Sequence, residues 1–291
     1  MSAHSRHPAR EAFKKALSLR TRLGYALSDA VPIYDLAEKA GVEVWFTETP
    51  SMEGMYFRDD FRQLILISSL RPAGRRAFSA AHELGHMVFG HGDRLDEVTE
   101  RPRGDLPLDS IELAADIFAG ALLMPKVAVE RGFSARGWNV SRSGPCEFYT
   151  LAGWLGVGYT TLVRHMQYSL GLISDSHAET LLKKQPLEIR AAFYGSRLEG
   201  NLYVVDGQWK GRPVDIEVGD IVVMPAESLH HGDCVELERR KDAHVFLRGV
   251  APGTGELTMP AEEWSCFVRV SRRNFVGRNR YKHLEEIHDE E

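Results

Sequence analysis

The chain has 291 residues, 36 Lys and Arg against 41 Asp and Glu, 43% hydrophobic residues and three cysteines. That length holds one large domain or two, and the apolar fraction excludes disordered and collagen-like chains. An odd, small number of cysteines excludes a disulfide framework and fits a reducing cytoplasm, and a net charge of −5 argues against a surface coated in positive charge for nucleic acid.

In chain order, His4, Arg6, His7 and Arg10 are followed by no apolar run, which argues against a signal peptide. Arg10 to Leu23 and Ile33 to Ala40 have helical spacing, the second stopped by Gly41. Val42 to Phe46 and Leu64 to Ile67 read as strands. A long helix is predicted from about Arg75 to Gly90, a charged loop over Gly92 to Leu108, and a helix over Ser110 to Met124 closed by Pro125. The longest apolar stretch, Ile117 to Val129, is too short to span a bilayer. More helices are expected between Val127 and Leu172, with Ser141 to Pro145 a loop among them. After about Gln185 come short β-like runs: Leu202 to Val205, Asp220 to Met224, Cys234 to Arg239, His244 to Gly249 and Cys266 to Val270. The expectation is an α+β fold in two parts: residues 1–174, helical bundle included, and a β-rich domain over residues 185–291.

The sharpest chemical signal is His82-Glu83-Leu84-Gly85-His86 on the long helix. At about 100° per residue, the two histidines lie roughly 40° apart on one face. They can hold one Zn²⁺ while Glu83 takes a proton from its water. The alternative, two helix-surface histidines, is weakened because Phe78, Ala80, Ala81, Leu84, Val88 and Phe89 leave this helix little polar surface. The third ligand is not supplied by the metzincin pattern, since Phe89 and Gly92 stand where that class needs Gly and His. His91 falls off the His82/His86 face and reads as a surface or substrate-side group. Glu112 and Asp116, four apart on an apolar helix, need a cation or donors between them. Glu112 as ligand and Asp116 as acceptor of a ligand histidine's N–H satisfy both, a gluzincin-like arrangement. The competing assignment makes Glu112 the third residue of a capping box with Asp109.

With these residues quoted, the chain resembles the ImmA/IrrE-type metallopeptidases. The resemblance rests on Phe78 to His86, Glu112 to Ala119 and Leu122-Leu123-Met124-Pro125, and covers roughly Ile33 to Leu172. The family more often has Asn where this chain has Asp116. The resemblance implies a zinc-dependent endopeptidase that cleaves a helix-turn-helix repressor and so induces a stress, DNA-damage or defence response. It implies His82, His86 and Glu112 on zinc, with Glu83 as general base. The β-rich domain then reads as a sensor.

Weaker signals remain. Leu151 to Ile173 has the cadence of a helix-turn-helix; Tyr159, Thr160, Thr161 and Arg164 are a thin set for reading DNA, and structural packing is the favoured assignment. Cys146 is either an ordinary free thiol or a latch that occupies zinc's open position in a latent state. Tyr149, Tyr159 and His91 are the candidate oxyanion donors. Arg269, Arg272, Arg273, Phe275, Arg278, Arg280, Tyr281 and Lys282 interleave cations with aromatics, which suits single-stranded DNA as an activator; a solvated terminal strand is the alternative. The competing function is a DNA-binding transcription regulator with a non-catalytic metal site. No membrane partner is expected.

Overall fold

The computed structural model of the chain describes residues 3–91, 94–97 and 110–284. α1 (Ala3–Arg22) turns Ala12, Ala16 and Leu19 inward and buries Arg20 completely. That guanidinium donates to the carbonyls of Leu122, Ala26 and Asp29, since a buried cation needs its donors answered. α2 (Ile33–Lys39) leads into β1 (Glu43–Thr47), whose alternate residues Val44 and Phe46 are buried. β2 (Met52–Arg58) and β3 (Gln63–Ser68) follow, then the long α3 (Ala73–Phe89), which Gly90 ends in the left-handed conformation with φ 69°. β4 (Arg94–Glu97) interrupts the expected charged loop; the rest of that loop and Asp109 lie outside the described residues.

α4 (Ser110–Leu123) and α5 (Lys126–Ser134) are separated at Pro125, which cannot continue a helix. α6 (Pro145–Leu155) and α7 (Tyr159–Arg164) flank the Gly156-Val157-Gly158 turn, and a π-helical turn, His165–Ser169, extends α7. α8 (Asp175–Leu182) occupies the stretch expected between the two parts, and α9 (Pro186–Tyr194) opens the part expected to be β-rich.

The β-rich part comprises β5 (Leu202–Val204), β6 (Pro213–Glu217), β7 (Ile221–Pro225), β8 (Leu229–His231), β9 (Val235–Lys241), β10 (His244–Gly249), β11 (Gly253–Met259), β12 (Trp264–Ser271) and β13 (Gly277–Arg278). It forms two four-stranded sheets, ordered β5-β7-β10-β9 and β6-β12-β11-β8. The third sheet is ordered β13-β1-β3-β2-β4, with β1 and β3 parallel. The chain therefore returns from the β-rich part to close an edge of the first sheet, pairing Trp45 with Arg278 and Phe46 with Gly277.

The architecture is mixed α+β with a β-rich C-terminal region. Its buried apolar residues form one contiguous cluster running from Ala12 to Val270. A smaller cluster of Tyr194, Leu198, Leu202, Ile221, Val223 and Phe246 lies on the other face of the β5-β7-β10-β9 sheet. This explains the unbroken apolar run in β7: Ile221 and Val223 serve the small core, Val222 and Met224 the large one. No helix among the described residues is long and apolar enough to cross a membrane.

Candidate metal centre

α3 is rich in Ala, with Ala77, Ala80 and Ala81 buried, so it packs closely on its neighbours. It packs closely on α4: a Cβ on Gly85 would lie 3.3 Å from Ala115 Cα and 3.1 Å from the Phe118 ring. This contact lets the face bearing His82 and His86 meet the face bearing Glu112 and Asp116. His86 is fully buried and His82 is 7% exposed.

His86 Nε2 lies 3.0 Å from His82 Nε2, and Glu112 Oε2 lies 3.2 Å from His82 Nε2 and 3.6 Å from His86 Nε2. Ligand atoms around a tetrahedral ion with bonds of about 2.05 Å sit about 3.3 Å apart, so the spacing fits. Asp116 Oδ1 accepts from His82 Nδ1–H at 2.8 Å, which leaves the lone pair of His82 Nε2 facing the other two atoms. His86 Nδ1 lies 3.1 Å from His91 Nδ1, and His91 stacks on Phe89. With His86 donating, its Nε2 also presents a lone pair. Three acceptor atoms in van der Waals contact repel unless a cation lies among them; the donor set fits a divalent metal.

Glu83 stands beside this group and is 1% exposed. Gly54 of β2 backs it: a Cβ there would lie 2.8 Å from Glu83 Oε1. Neither Gly54 nor the contact of His91 was visible in the helical pattern. Gly90 is the signal for His91, because its left-handed turn brings the His91 N–H to the His86 carbonyl at 3.1 Å and folds His91 back over the site.

Other expected site residues go elsewhere. Tyr149 donates to the Leu202 carbonyl and Tyr159 to the Leu181 carbonyl, both at 2.8 Å, so neither phenol serves the metal centre. Burial pushes both phenol pKa values up, that of Tyr149 to about 12. Cys146 lies in the first turn of α6, and the residues grouped to hold a metal among the described residues are His82, His86 and Glu112. Burial, then the charge of Glu147, raises its thiol pKa, so it is a poor thiolate. In the helix-turn-helix-like segment, Tyr159, Leu162 and Val163 are buried, and the Val157–Gly158 turn packs on Gly74 of α3.

Much of the basic aromatic segment is committed inside the fold. Arg269 is held by Asp215, Nε at 2.5 Å, and by Asp35, Nη1 at 3.0 Å. Lys282 is 7% exposed, 3.6 Å from Asp215 and over the rings of Tyr34 and Phe46. Phe275 packs edge-on against Phe46, and Arg278 lies over Trp45. Arg272 is half-buried, whereas Arg273, Arg280 and Tyr281 are exposed. The alternation of cations and aromatics builds an internal seam, because each committed cation finds an acid or a ring face inside the fold. Burial alone would raise the Asp215 pKa, but Lys282 and the hydrogen bonds and charge of Arg269 outweigh it and hold the carboxyl well below the usual range.

Residues 37–164 match the sequence profile of the IrrE N-terminal-like domain, a peptidase family. The radiation response metalloprotease IrrE of Deinococcus radiodurans is 30% identical over 95 residues, 32% of this chain and 28% of that protein. The protein of the same name from Deinococcus deserti is 31% identical over 91 residues, 31% of this chain and 32% of that one. Residues 37–164 therefore form an ImmA/IrrE-type domain. That family is one of metalloproteases, which implies a divalent metal and agrees with the His82, His86 and Glu112 group. The ImmA/IrrE-type match spans under a third of the length of these relatives. Among solved structures, a Mycobacterium tuberculosis transcriptional regulator aligns with TM-score 0.34 and 16% identity over 54% of this chain and 46% of that one, a likeness too low to assign anything to this chain.

Proposed function

We propose that the protein is a zinc-dependent endopeptidase that cuts a helix-turn-helix transcriptional repressor and so induces a stress, DNA-damage or defence response. The observation that carries this reading is the meeting of His82 Nε2, His86 Nε2 and Glu112 Oε2 within 3.6 Å beside the carboxylate of Glu83. The nitrogen and oxygen donors suit zinc. His82, His86 and Glu112 would hold the zinc ion, which would supply Lewis acidity and lower the pKa of a water. Glu83 accepts the water's proton and returns it to the leaving amine. Asp116 fixes the tautomer of His82 through Nδ1–H, and His91 does the same for His86. The repressor as substrate rests on the family resemblance. Any role for single-stranded DNA as activator falls to the exposed Arg273, Arg280 and Tyr281.

The test incubates zinc-loaded protein with the helix-turn-helix protein encoded beside it, with and without single-stranded DNA, and identifies products by mass. Cleavage that disappears in Glu83→Gln, with zinc content unchanged, is the expected result. A Glu83→Gln variant that cuts as fast as the parent, or a zinc-loaded parent that never cuts, sinks the reading and favours a DNA-binding regulator with a non-catalytic metal.

A further inference from the structure

Between α3 and the turn after α6 on one side, and β6 with the C-terminal segment on the other, lies a cavity of about 140 Å³. Its charged lining residues are Arg76, Arg212, Asp215, Glu217 and Lys282. Four of them neutralise one another: Arg76 meets Glu217 at 2.6 Å and Lys282 meets Asp215 at 3.6 Å. Arg212 meets no carboxylate within 4.0 Å among the described residues. Its Nη atoms reach only the Trp154 carbonyl at a long 3.4 Å, and its buried Nε has no protein partner. Burial draws its pKa down to about 10; Asp29 opposes that fall and Arg20 and Arg136 add to it. At neutral pH it is a cation in want of an anion.

The walls beside it are aromatic and already fixed. The guanidinium lies 5.3 Å from the ring centres of both Trp154 and Trp209. Both indole N–H groups are spent on backbone, Trp154 on Gln208 and Trp209 on Val204; Arg136 also lies over the Trp154 ring at 5.3 Å, and both indoles line the cavity. Tyr34 and Phe46 line the cavity too. An independent sign comes from α6. Gly153 sits inside that helix and lines the cavity, and a Cβ there would meet nothing within 4 Å. A helix-interior Gly costs about 1 kcal/mol relative to Ala, and at this position packing does not require it. The missing side chain leaves the cavity open.

We propose that this cavity is a binding site for a single-ring aromatic carboxylate, its carboxylate on Arg212 and its ring against the aromatic lining of the cavity. An apolar cavity of about 150 Å³ accommodates benzene, so the volume suits one ring and a small substituent. Hydrogen bonds to a buried guanidinium set the discrimination against a neutral isostere at about ten- to hundredfold. The first turns of α3, Ala73 to Ala77 without Arg75, line the same cavity. Occupancy therefore bears on the helix that carries His82 and Glu83, a consequence that rests on the peptidase reading.

Binding to the full chain is followed by tryptophan fluorescence and thermal shift, with benzoate, benzyl alcohol and acetate as probes. Saturable binding of benzoate is expected, with both other probes at least about tenfold weaker. Arg212→Gln weakens benzoate by a similar factor, and Gly153→Leu, which fills the cavity, removes binding without lowering the melting temperature. Equal affinity for benzyl alcohol, no saturation by about 10 mM benzoate, or parental affinity in a folded Gly153→Leu protein overturns the proposal. These readouts do not depend on cleavage. An unchanged cleavage rate with benzoate bound refutes the coupling to α3 alone, and absence of any cleavage refutes the peptidase reading while leaving the site standing.

Discussion

At the scale of single residues, the position of Glu83 depends on an atom that is absent from Gly54. A methyl group there would lie 2.8 Å from Glu83 Oε1 and 3.0 Å from its Cγ, and Glu83 is 1% exposed, so the side chain has little room to yield. Displacing a catalytic group by about 1 Å costs on the order of a hundredfold in rate. Gly54→Ala is therefore expected to lower kcat/KM by about that factor while zinc stoichiometry stays at the parental value. Cleavage kinetics and metal analysis check it, and a parental rate would mean that Glu83 is not the base. His82, His86, Glu112 and Asp116 were visible in the chain because helical spacing puts them on two facing stripes, and Glu83 because it follows His82 in the motif. Gly54 was not, since its contact is made from a strand and nothing in Met52 to Arg58 announces which side chain it must clear. Arg269 and Lys282 were misleading for the converse reason: their acids, Asp35 and Asp215, stand far away in the chain.

Whole elements show how helix glycines divide by what surrounds them. In α5, a Cβ on Gly132 would lie 2.3 Å from Leu151 Cδ1 and 3.3 Å from the Trp154 ring, and Leu151 is fully buried. In α6, Gly153 has open space. Ala is expected to act with opposite sign at the two sites. Gly153→Ala gains about 1 kcal/mol of helix propensity, whereas Gly132→Ala loses about 1–3 kcal/mol to overpacking. Urea midpoints followed by circular dichroism decide it; two shifts of the same sign would show that propensity alone governs these helices. The long elements were legible: α3 and α4 each came out within about two residues of the expected bounds, because apolar periodicity over several turns is a strong signal. β6, β8 and β11 were not. β11 reads Gly-Thr-Gly-Glu-Leu-Thr-Met, poor in strand formers. Its Gly255 is needed because a Cβ there would come 2.6 Å from the His231 carbonyl of β8.

For the molecule as a whole, the decisive feature is the acid that ties its distant parts together. Asp215 on β6 accepts from Arg269 on β12 and lies 3.6 Å from Lys282, beyond β13, while Arg269 also reaches Asp35 on α2. Removing one partner of this partly buried charge cluster leaves the others uncompensated, at a cost of about 1–3 kcal/mol. An exposed pair such as Lys126–Glu130, with side chains 59% and 50% exposed, stabilises far less because water screens it. Asp215→Asn is accordingly expected to lower the urea midpoint strongly, and Glu130→Gln to leave it nearly unchanged. The pH dependence follows from the direction of the Asp215 shift. Its folded pKa is depressed, so its contribution is fully present above the unfolded carboxylate range of about 3.9 and is lost as pH falls toward the folded value. Unfolding curves taken downward from pH 5 should therefore converge for parent and Asp215→Asn. Since one core runs from Ala12 to Val270, the loss should also appear in a single transition that includes both the helical and the β-rich parts. A variant that melts its β-rich part alone, with the helices intact, would mean that the seam joins two independently stable units.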